Sequence, residues 1–253
     1  MMAVVRVPVA PVYRDARMAS ERVDEVLHGW QVEILSRHME FCHISTDYGY
    51  QGFVLAADLE LTPLPSPWTT RCISHNFADV TATPHVRGDV ITSLPFGAFV
   101  DLRGGAQEYA PVGLAGGKAG YIRENFLKTR LPPADNEDEL RQNLLNAAKM
   151  YLNTQYRWGG KTHLGIDCSG LTFMAYRLNG ITIWRDAHHK EGFPLRKIPP
   201  AVAKTGDLLY FPGHVAMIAE DGRIIHSSHG NGVAKIEKLA KYQPEPLYAC
   251  TVF

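Results

Sequence analysis

The sequence predicts an α+β protein in which two small β-barrels precede a domain of helices and strands. Three observations support this: an internal repeat within the segment 1–130, period-two alternation within each copy, and helical spacing followed by a hairpin pattern after residue 137. Proline-rich segments at 62–67 and 131–133 mark the predicted joints. We therefore predict domains at residues 1–62, 63–131 and 137–253.

The repeat is ungapped, and the same offset, that from Val12 to Val80, relates every matching pair. Its matching positions are Val12 and Val80, Gly29 and Gly97, Val32 and Val100, Ile34 and Leu102, Leu59 and Leu127, and the runs 52–54 and 120–122. Each copy alternates apolar and polar residues in short segments, which is typical of half-buried strands. Five or so such strands in about 65 residues predict a small β-barrel.

Composition excludes several classes of partner. Lys plus Arg equals Asp plus Glu at 26 each, so the chain has no electrostatic footprint for nucleic acid or an anionic membrane. No run approaches the ~20 apolar residues of a membrane span. The N-terminus lacks a signal peptide's apolar region, which predicts a cytoplasmic protein if the sequence is the whole gene product. We expect a monomer.

Cysteine and histidine spacing predicts no metal site and no cofactor. The four cysteines form no CxxC pair and no HExxH motif is present. In a cytoplasmic protein, four scattered cysteines are expected to be free thiols.

Two helices are predicted after the repeat. Leucine and alanine spacing indicates a helix from Glu137 to Leu152, capped by Asp135 or Asn136. The segment 166–178 reads as a turn followed by a second helix, which the pair 179–180 would end.

Cys168 falls at or just before the N-terminus of this second helix. Backbone N–H groups and the helix dipole favour a negative charge there, so we expect the pKa of the thiol to fall from ~8.5 toward ~7. A thiolate is the nucleophilic form, and the same N–H groups could receive the oxyanion of a tetrahedral intermediate. The position therefore predicts a catalytic nucleophile.

A cysteine nucleophile needs a histidine in reach of the sulfur and a third group that orients the histidine. His214 and His226 lie in two predicted strands of one hairpin. A two-residue loop at 221–222 would place them on opposite faces. A three-residue loop at 220–222, with Gly222 left-handed and a bulge after it, would make them diagonal neighbours ~7–8 Å apart. Catalysis requires the three-residue loop; His229 is a weaker rival to His226.

Four motifs, in order, resemble those of the NlpC/P60 family. They are Tyr156 to Gly160 with the run 167–170, the strand start at 206–208, the pair 214–215 and the run 225–227. The resemblance covers about residues 137–253 and implies a papain-like α+β catalytic domain with a Cys-His-His triad. It implies that Cys168 is the nucleophile, His214 the base and His226 the orienting residue.

The segment 1–130 resembles two bacterial SH3-like domains, on weaker motifs. Together with the run 185–187, these make the chain similar to the subgroup of γ-D-glutamyl-L-diamino acid endopeptidases. That resemblance implies substrate contacts by Tyr50, Tyr156, Asp167, Ser169 and Ser227. Two departures concern specificity: Trp30 stands where some members have glutamate, so the amine would rely on Asp167 and Tyr50 with another acid such as Glu33, and Lys190 stands where glutamine is common.

The resemblance implies hydrolysis of the γ-D-Glu–diamino acid bond in murein peptides with a free N-terminal L-Ala, releasing L-Ala-γ-D-Glu. A cytoplasmic location would suit recycling of imported wall fragments. The diamino acid, diaminopimelate or lysine, stays open. One alternative is an amidase that cuts between muramic acid and L-Ala; another is a non-catalytic protein that binds the cell wall.

Overall fold

The computed structural model describes residues 1–61, 70–105, 107–129, 133–242 and 244–253. The predicted joint at 62–67 and residues 131–132 of the second joint lie outside these ranges. The chain divides into two compact units, Met1–Arg130 and Leu131–Phe253. No helix in the described ranges is long and apolar enough to cross a bilayer.

The first unit contains two antiparallel sheets, each of seven strands within the described residues. The first module is the sheet formed by residues 2–60. Its strands are β1 (Met2–Val5), β2 (Val9–Tyr13), β3 (Arg22–Leu27), β4 (Gln31–His38), β5 (Phe41–Thr46), β6 (Gln51–Leu55) and β7 (Leu59–Glu60). Their order in the sheet is β3-β2-β6-β5-β4-β1-β7.

The second module repeats this arrangement over residues 70–128. Its strands are β8 (Thr70–Ile73), β9 (Phe77–Thr81), β10 (Val90–Pro95), β11 (Phe99–Leu102), β12 (Tyr109–Gly113), β13 (Ala119–Arg123) and β14 (Leu127–Lys128). The order β10-β9-β13-β12-β11-β8-β14 is that of the first module with every label raised by seven. Each module has more strands than the five or so expected, and its last strand, β7 or β14, has only two residues, too few for alternation to be recognised.

The second unit carries helices and a third large sheet. Its elements are α1 (Glu137–Lys149), β15 (Lys161–Thr162), β16 (Gly165–Ile166), α2 (Cys168–Arg177), β17 (Arg196–Ile198), β18 (Leu208–Phe211), β19 (His214–Ile218), β20 (Arg223–Ser227), β21 (Ala234–Lys238) and β22 (Tyr248–Thr251). In the described residues, six strands pair antiparallel in the order β17-β22-β18-β19-β20-β21. The hairpin β15–β16 stands apart and leads directly into α2.

The predicted helix caps agree with the structure, whereas one helix end does not. The Asn136 side chain accepts from the Glu139 N–H at 3.0 Å, so Asn136 rather than Asp135 caps α1. Helix α1 ends at Lys149, not at Leu152. The apolar spacing continues, but Tyr151 and Leu152 bond three residues back, as in a tightened final turn.

Helix α2 is buried along its whole length rather than on one stripe. It follows the hairpin β15–β16 and contacts β19 and β20 of the large sheet. The sheet's own core includes Leu209, Phe211, Ala216, Ile224 and Ala249. This packing holds the start of α2 against the strands that carry the two predicted histidines.

Candidate active site

Cys168 is the first residue of α2, and Asp167 is its N-cap. The Asp167 carboxylate accepts from the Gly170 N–H at 2.6 Å, which replaces an intrahelical partner. Backbone N–H groups of Ser169 and Val215 donate to the Cys168 sulfur. The thiol therefore faces both the helix N-terminus and the residue after His214.

The expected lowering of the Cys168 pKa is wrong. Burial raises the pKa of this thiol to about 11, and the neighbouring Asp167 carboxylate adds to the rise. Burial likewise lowers the pKa of His214 to about 4, with His226 contributing. Since both partners are neutral near pH 7, the nucleophile has to form by proton transfer to an imidazole during attack, as in general-base catalysis.

The hairpin β19–β20 has the register that catalysis requires. Met217 pairs with Ile225 and Ile218 with Ile224, and Ala219 donates to the Arg223 carbonyl across a loop of three residues, 220–222. Gly222 has φ +66°, as predicted, and Asp221 is also left-handed at φ +59°. The prediction of a three-residue loop is confirmed, and both histidines lie on one face.

The two imidazoles form part of a hydrogen-bonded chain. His214 Nε2 lies 2.9 Å from His226 Nδ1, and His226 Nε2 lies 2.7 Å from Glu237 Oε1. Lys235 Nζ then lies 2.8 Å from the other oxygen, Glu237 Oε2. His226 is fully buried while Glu237 is partly exposed, so this series of hydrogen bonds runs from the thiol side toward solvent.

The sequence motifs did not indicate Glu237. Strand β21 pairs with β20 so that Lys235 stands opposite His226. Glu237, two residues on, falls on the same face. Continuing the hairpin register by one strand would have found it, because the segment 234–238 alternates and follows a glycine-containing turn.

Aromatic rings fix the position of the imidazole of His214. Tyr242 stacks on His214 with centroids 5.5 Å apart and meets His226 edge-on at 5.1 Å. Phe211 packs near the same imidazole at 6.0 Å. Burial raises the pKa of Tyr242, and the proximity of the ionisable Cys168 thiol adds to the rise, which places this phenol near the sulfur. Tyr242 was also missed, since a tyrosine in a loop gives no sequence signal.

The Asp167 carboxylate accepts hydrogen bonds from several groups of the protein itself. Oδ1 accepts from Gly170 N–H, Ser169 Oγ and Arg185 Nη1, and Oδ2 accepts from Gly159 N–H and Arg185 Nη2. A carboxylate offers about four lone-pair positions. These partners make Asp167 an anchor for the start of α2, and its expected contact with the substrate amine stays a prediction.

Arg185 is the buried countercharge of this anchor. Its side chain is 1% exposed and also donates to Ser169 Oγ at 2.7 Å. A buried carboxylate is costly unless it is paired and hydrogen-bonded, and the guanidinium fork supplies both. Ser169 is held beside the nucleophile by Arg185 and Asp167, and its expected contact with substrate stays a prediction.

The side chains of Tyr156 and Ser227, both predicted to contact substrate, differ in their exposure to solvent. Tyr156 is half-buried, and burial followed by the charges of Cys168 and Asp167 raises its pKa to about 12, so it lies near the nucleophile. Ser227 is fully buried and donates to the Ile166 carbonyl at 2.8 Å, joining β20 to the strand before Cys168. His229 is exposed and meets the Tyr156 ring edge-on, whereas His226 contacts His214.

Tyr50 lies in the first unit, at the turn between β5 and β6. Its N–H donates to Thr46 Oγ1, and its ring is 6.5 Å from that of Tyr48. Its expected contact with substrate stays a prediction. Within the described residues, no group of three or more His, Cys, Asp or Glu side chains could hold a metal ion.

Comparison with known proteins agrees with this geometry. Residues 153–250 match the NlpC/P60 family. The chain is 34% identical to Dipeptidyl-peptidase 6 of Lysinibacillus sphaericus over 96% of this chain and 94% of that protein. It is 33% identical to the gamma-D-glutamyl-L-lysine dipeptidyl-peptidase of Bacillus cereus over 50% of this chain and 40% of that protein.

A solved structure shares the fold. An NlpC/P60 family protein from Bacillus cereus superposes with a TM-score of 0.83 at 19% identity, covering 98% of both chains. The likeness to Dipeptidyl-peptidase 6 extends over nearly the whole length of both proteins. With the helix-borne cysteine and the paired histidines, these matches place the chain in the NlpC/P60 family of cysteine peptidases.

Proposed function

We propose that the chain hydrolyses the γ-D-Glu–diamino acid bond of murein peptides that carry a free N-terminal L-Ala, and releases L-Ala-γ-D-Glu. One observation carries the chemistry: Cys168 begins α2 against β19, where His214 is hydrogen-bonded to His226 at 2.9 Å. Relatives named for dipeptidyl-peptidase activity, one of them along nearly the whole chain, support the choice of bond.

Hydrolysis would proceed through an acyl-enzyme. The Cys168 thiol loses its proton to His214 as the sulfur attacks the γ-carbonyl, since neither group is charged beforehand. His214 then gives this proton to the leaving amine of the diamino acid. Water, with its proton taken by His214, attacks the thioester; the C–S bond breaks, the dipeptide leaves, and His214 returns the proton to the Cys168 sulfur. His226 stabilises the transient imidazolium through the bond to His214 Nε2.

The contacts proposed for the substrate are described for each unit by itself. Within the second unit, Tyr156 is half-buried near Cys168, and Ser169, whose hydroxyl donates to Asp167 and accepts from Arg185, keeps one lone pair for a peptide N–H. Asp167 and Ser227 serve in this proposal as positioning residues, because their polar atoms bond inside the protein. In the first unit, the substrate contact expected of Tyr50 stays a prediction, and we infer that the two modules of this unit are SH3-like domains at residues 1–62 and 63–131.

The proposed setting is the cytoplasm, where short imported wall peptides would be recycled by a monomeric enzyme. A requirement for a free N-terminal amine would restrict the enzyme to such fragments, because intact wall peptides are blocked by muramic acid. Fractionation of cells followed by immunodetection of the chain tests the location directly.

The decisive experiment is a mass-spectrometric digest of L-Ala-γ-D-Glu-L-Lys and its diaminopimelate counterpart. Cys168→Ala should reduce release of L-Ala-γ-D-Glu below detection with either peptide. Cys72→Ala, which changes a half-exposed thiol in the first unit, is the matched control and should keep full activity. Release of the dipeptide by Cys168→Ala would refute the assignment of the nucleophile, and the ratio of the two wild-type rates gives the diamino acid preference.

The same digest distinguishes the amidase alternative. A muramoyl-capped peptide should resist the enzyme, whereas an amidase would cleave it at the muramic acid–L-Ala bond and ignore the uncapped tripeptide.

A further inference from the structure

We propose that Glu237 is a positioning residue of the catalytic site, which fixes the tautomers of both histidines so that the imidazole of His214 presents a bare nitrogen to the thiol. The inference rests on the proposed roles of Cys168, His214 and His226. It adds a fourth member to that triad, and a fifth, Lys235, that holds the fourth in place.

The geometry sets the direction of every hydrogen bond in the chain. An ionised carboxylate can only accept, so Glu237 requires the proton of His226 to be on Nε2, 2.7 Å away. A neutral imidazole carries one N–H, so Nδ1 of His226 is then a lone pair. The nitrogen 2.9 Å from it, Nε2 of His214, must therefore donate.

Nδ1 of His214 is consequently unprotonated and free to act as the base. The thiol proton of Cys168 has one imidazole nitrogen to receive it, and the imidazolium that forms is stabilised through His226 toward the Glu237 charge. Without Glu237, His226 could carry its proton on either nitrogen, and one of the two choices turns His214 into a donor toward the sulfur.

Lys235 keeps the carboxylate in the accepting form. Its ammonium lies 2.8 Å from Glu237 Oε2, and hydrogen bonds from Lys235 and His226 hold the pKa of Glu237 below its usual value against partial burial. The Asn231 side-chain amide lies 3.5 Å from both His226 Nε2 and Glu237 Oε1. These contacts lie on the solvent side of His226, away from the thiol.

Charged groups on other secondary-structure elements also affect the pKa values of the two histidines. Asp167 at the start of α2 raises the pKa of His214, as does Glu237, against the larger effects of burial and of His226. Hydrogen bonding and charge from Glu237 raise the pKa of His226, while burial, the largest cause, and Lys235 lower it. The neighbouring phenol of Tyr242 and thiol of Cys168 are neutral at pH 7.

The test compares Glu237→Gln with the wild type in the full chain. Lys235 would hold the amide oxygen, which turns the NH2 group toward His226 and forces the opposite tautomer on both rings. We expect kcat to fall roughly 10- to 100-fold with KM nearly unchanged, as when a charge-assisted hydrogen bond is lost. The acid limb of the kcat/KM profile should move to lower pH, because a charge that favours protonated His214 is gone.

A second readout needs no substrate. Nitrogen-15 NMR of the imidazoles should show His226 protonated on Nε2 in the wild type and on Nδ1 in Glu237→Gln. Glu220→Gln, the same substitution in the hairpin loop at 220–222, is the matched control and should change neither kcat nor the tautomers. Glu237→Ala, which cannot donate to His226, should give mixed tautomers and provides a second variant should Glu237→Gln fail to fold.

Unchanged tautomers in both variants, or a kcat within threefold of wild type with an unmoved acid limb, would overturn the inference. The outcome is separable from that of the proposed function. Altered tautomers in a chain whose wild type releases no L-Ala-γ-D-Glu would refute the substrate and keep Glu237. Normal tautomers in an active enzyme would do the reverse.

Discussion

The two modules of the first unit share a strand order but differ in what they bury. The first module buries Asp24, Glu25 and His28, and the hydroxyl of Tyr48 donates to Asp24 at 2.6 Å. The equivalent positions in the second module are occupied by Thr92, Ser93, Phe96 and Gly116. The aliphatic and glycine positions that form the strands repeat, whereas the polar interior does not, so a shared scaffold leaves the chemistry of each module free to diverge.

Trp30 shows the same divergence at the junction of the modules. Its equivalent in the second module is Ala98. The Trp30 indole N–H donates to the Gly97 carbonyl at 2.9 Å, and its ring lies 6.4 Å from that of Phe99. The departure from glutamate at this position therefore has a structural role: the side chain joins one module to the other.

The largest effect that separates the modules should come from Trp30→Ala. Removing this buried ring would cost ~3–5 kcal/mol of unfolding free energy, as for other large core truncations. Hydrogen exchange should increase in peptides from both modules. Leu35→Ala, at a side chain 43% exposed, is the control and should cost under ~1 kcal/mol. A Trp30→Ala chain as stable as this control would mean that the modules do not depend on the contact.

Glycines at equivalent turns provide a finer comparison. Gly49 and Gly117, which are equivalent under the repeat, have φ +70° and +83° with no atom within 4 Å of an added Cβ, so alanine should cost ~1–2 kcal/mol at each. Gly29 has φ +77°, and its Cβ would also overlap the Phe99 carbonyl. We expect Gly29→Ala to cost a further ~1–3 kcal/mol in denaturant unfolding. Equal costs at all three positions would contradict the close approach of the modules at Gly29.

Tyr48→Phe tests the buried contact between Tyr48 and Asp24, whose equivalent positions in the second module are Gly116 and Thr92. Removing the hydroxyl would leave the fully buried Asp24 carboxylate without this donor, at a cost of ~1–3 kcal/mol. Tyr109→Phe in the second module, whose ring keeps its contact with Arg123, is the control and should cost little. Similar losses in the two variants would show that the Asp24 contact adds no stability.

The smallest effect concerns pH. Burial lowers the pKa of His28 from 6.5, although the carbonyl of Phe99 accepts from its ring. A group whose folded pKa is depressed binds protons more readily when unfolded, so its stabilisation is complete above the unfolded pKa of 6.5 and is lost as pH falls below it. His28→Phe, which introduces the residue of the second module, should flatten the loss of unfolding free energy between pH 7 and 5. An unchanged slope would exclude His28 as a source of acid sensitivity.

Local signals predicted the parts of the molecule that depend on local hydrogen bonds. Asn136 caps α1 as expected, and the loop at 220–222 set the register that brings His214 and His226 together. A cap bonds three residues away and a hairpin register follows from loop length, so both can be read from neighbouring residues. The constant offset of the repeat likewise predicted two similar modules because strand positions recur.

Tertiary packing settled what residue spacing could not. The position of Cys168 at a helix N-terminus suggested an ionised thiol, but burial and the Asp167 charge keep it neutral, since desolvation depends on everything packed around the sulfur. Arg185, which follows α2 in the sequence, donates hydrogen bonds to the Asp167 carboxylate. Glu237, on the strand next to that of His226, is hydrogen-bonded to His226. Residue order alone predicted that Cys168 begins a helix and that His214 and His226 share one face of a hairpin, as the structure shows. Their protonation followed only from the folded chain, because it depends on charges and burial contributed by distant segments.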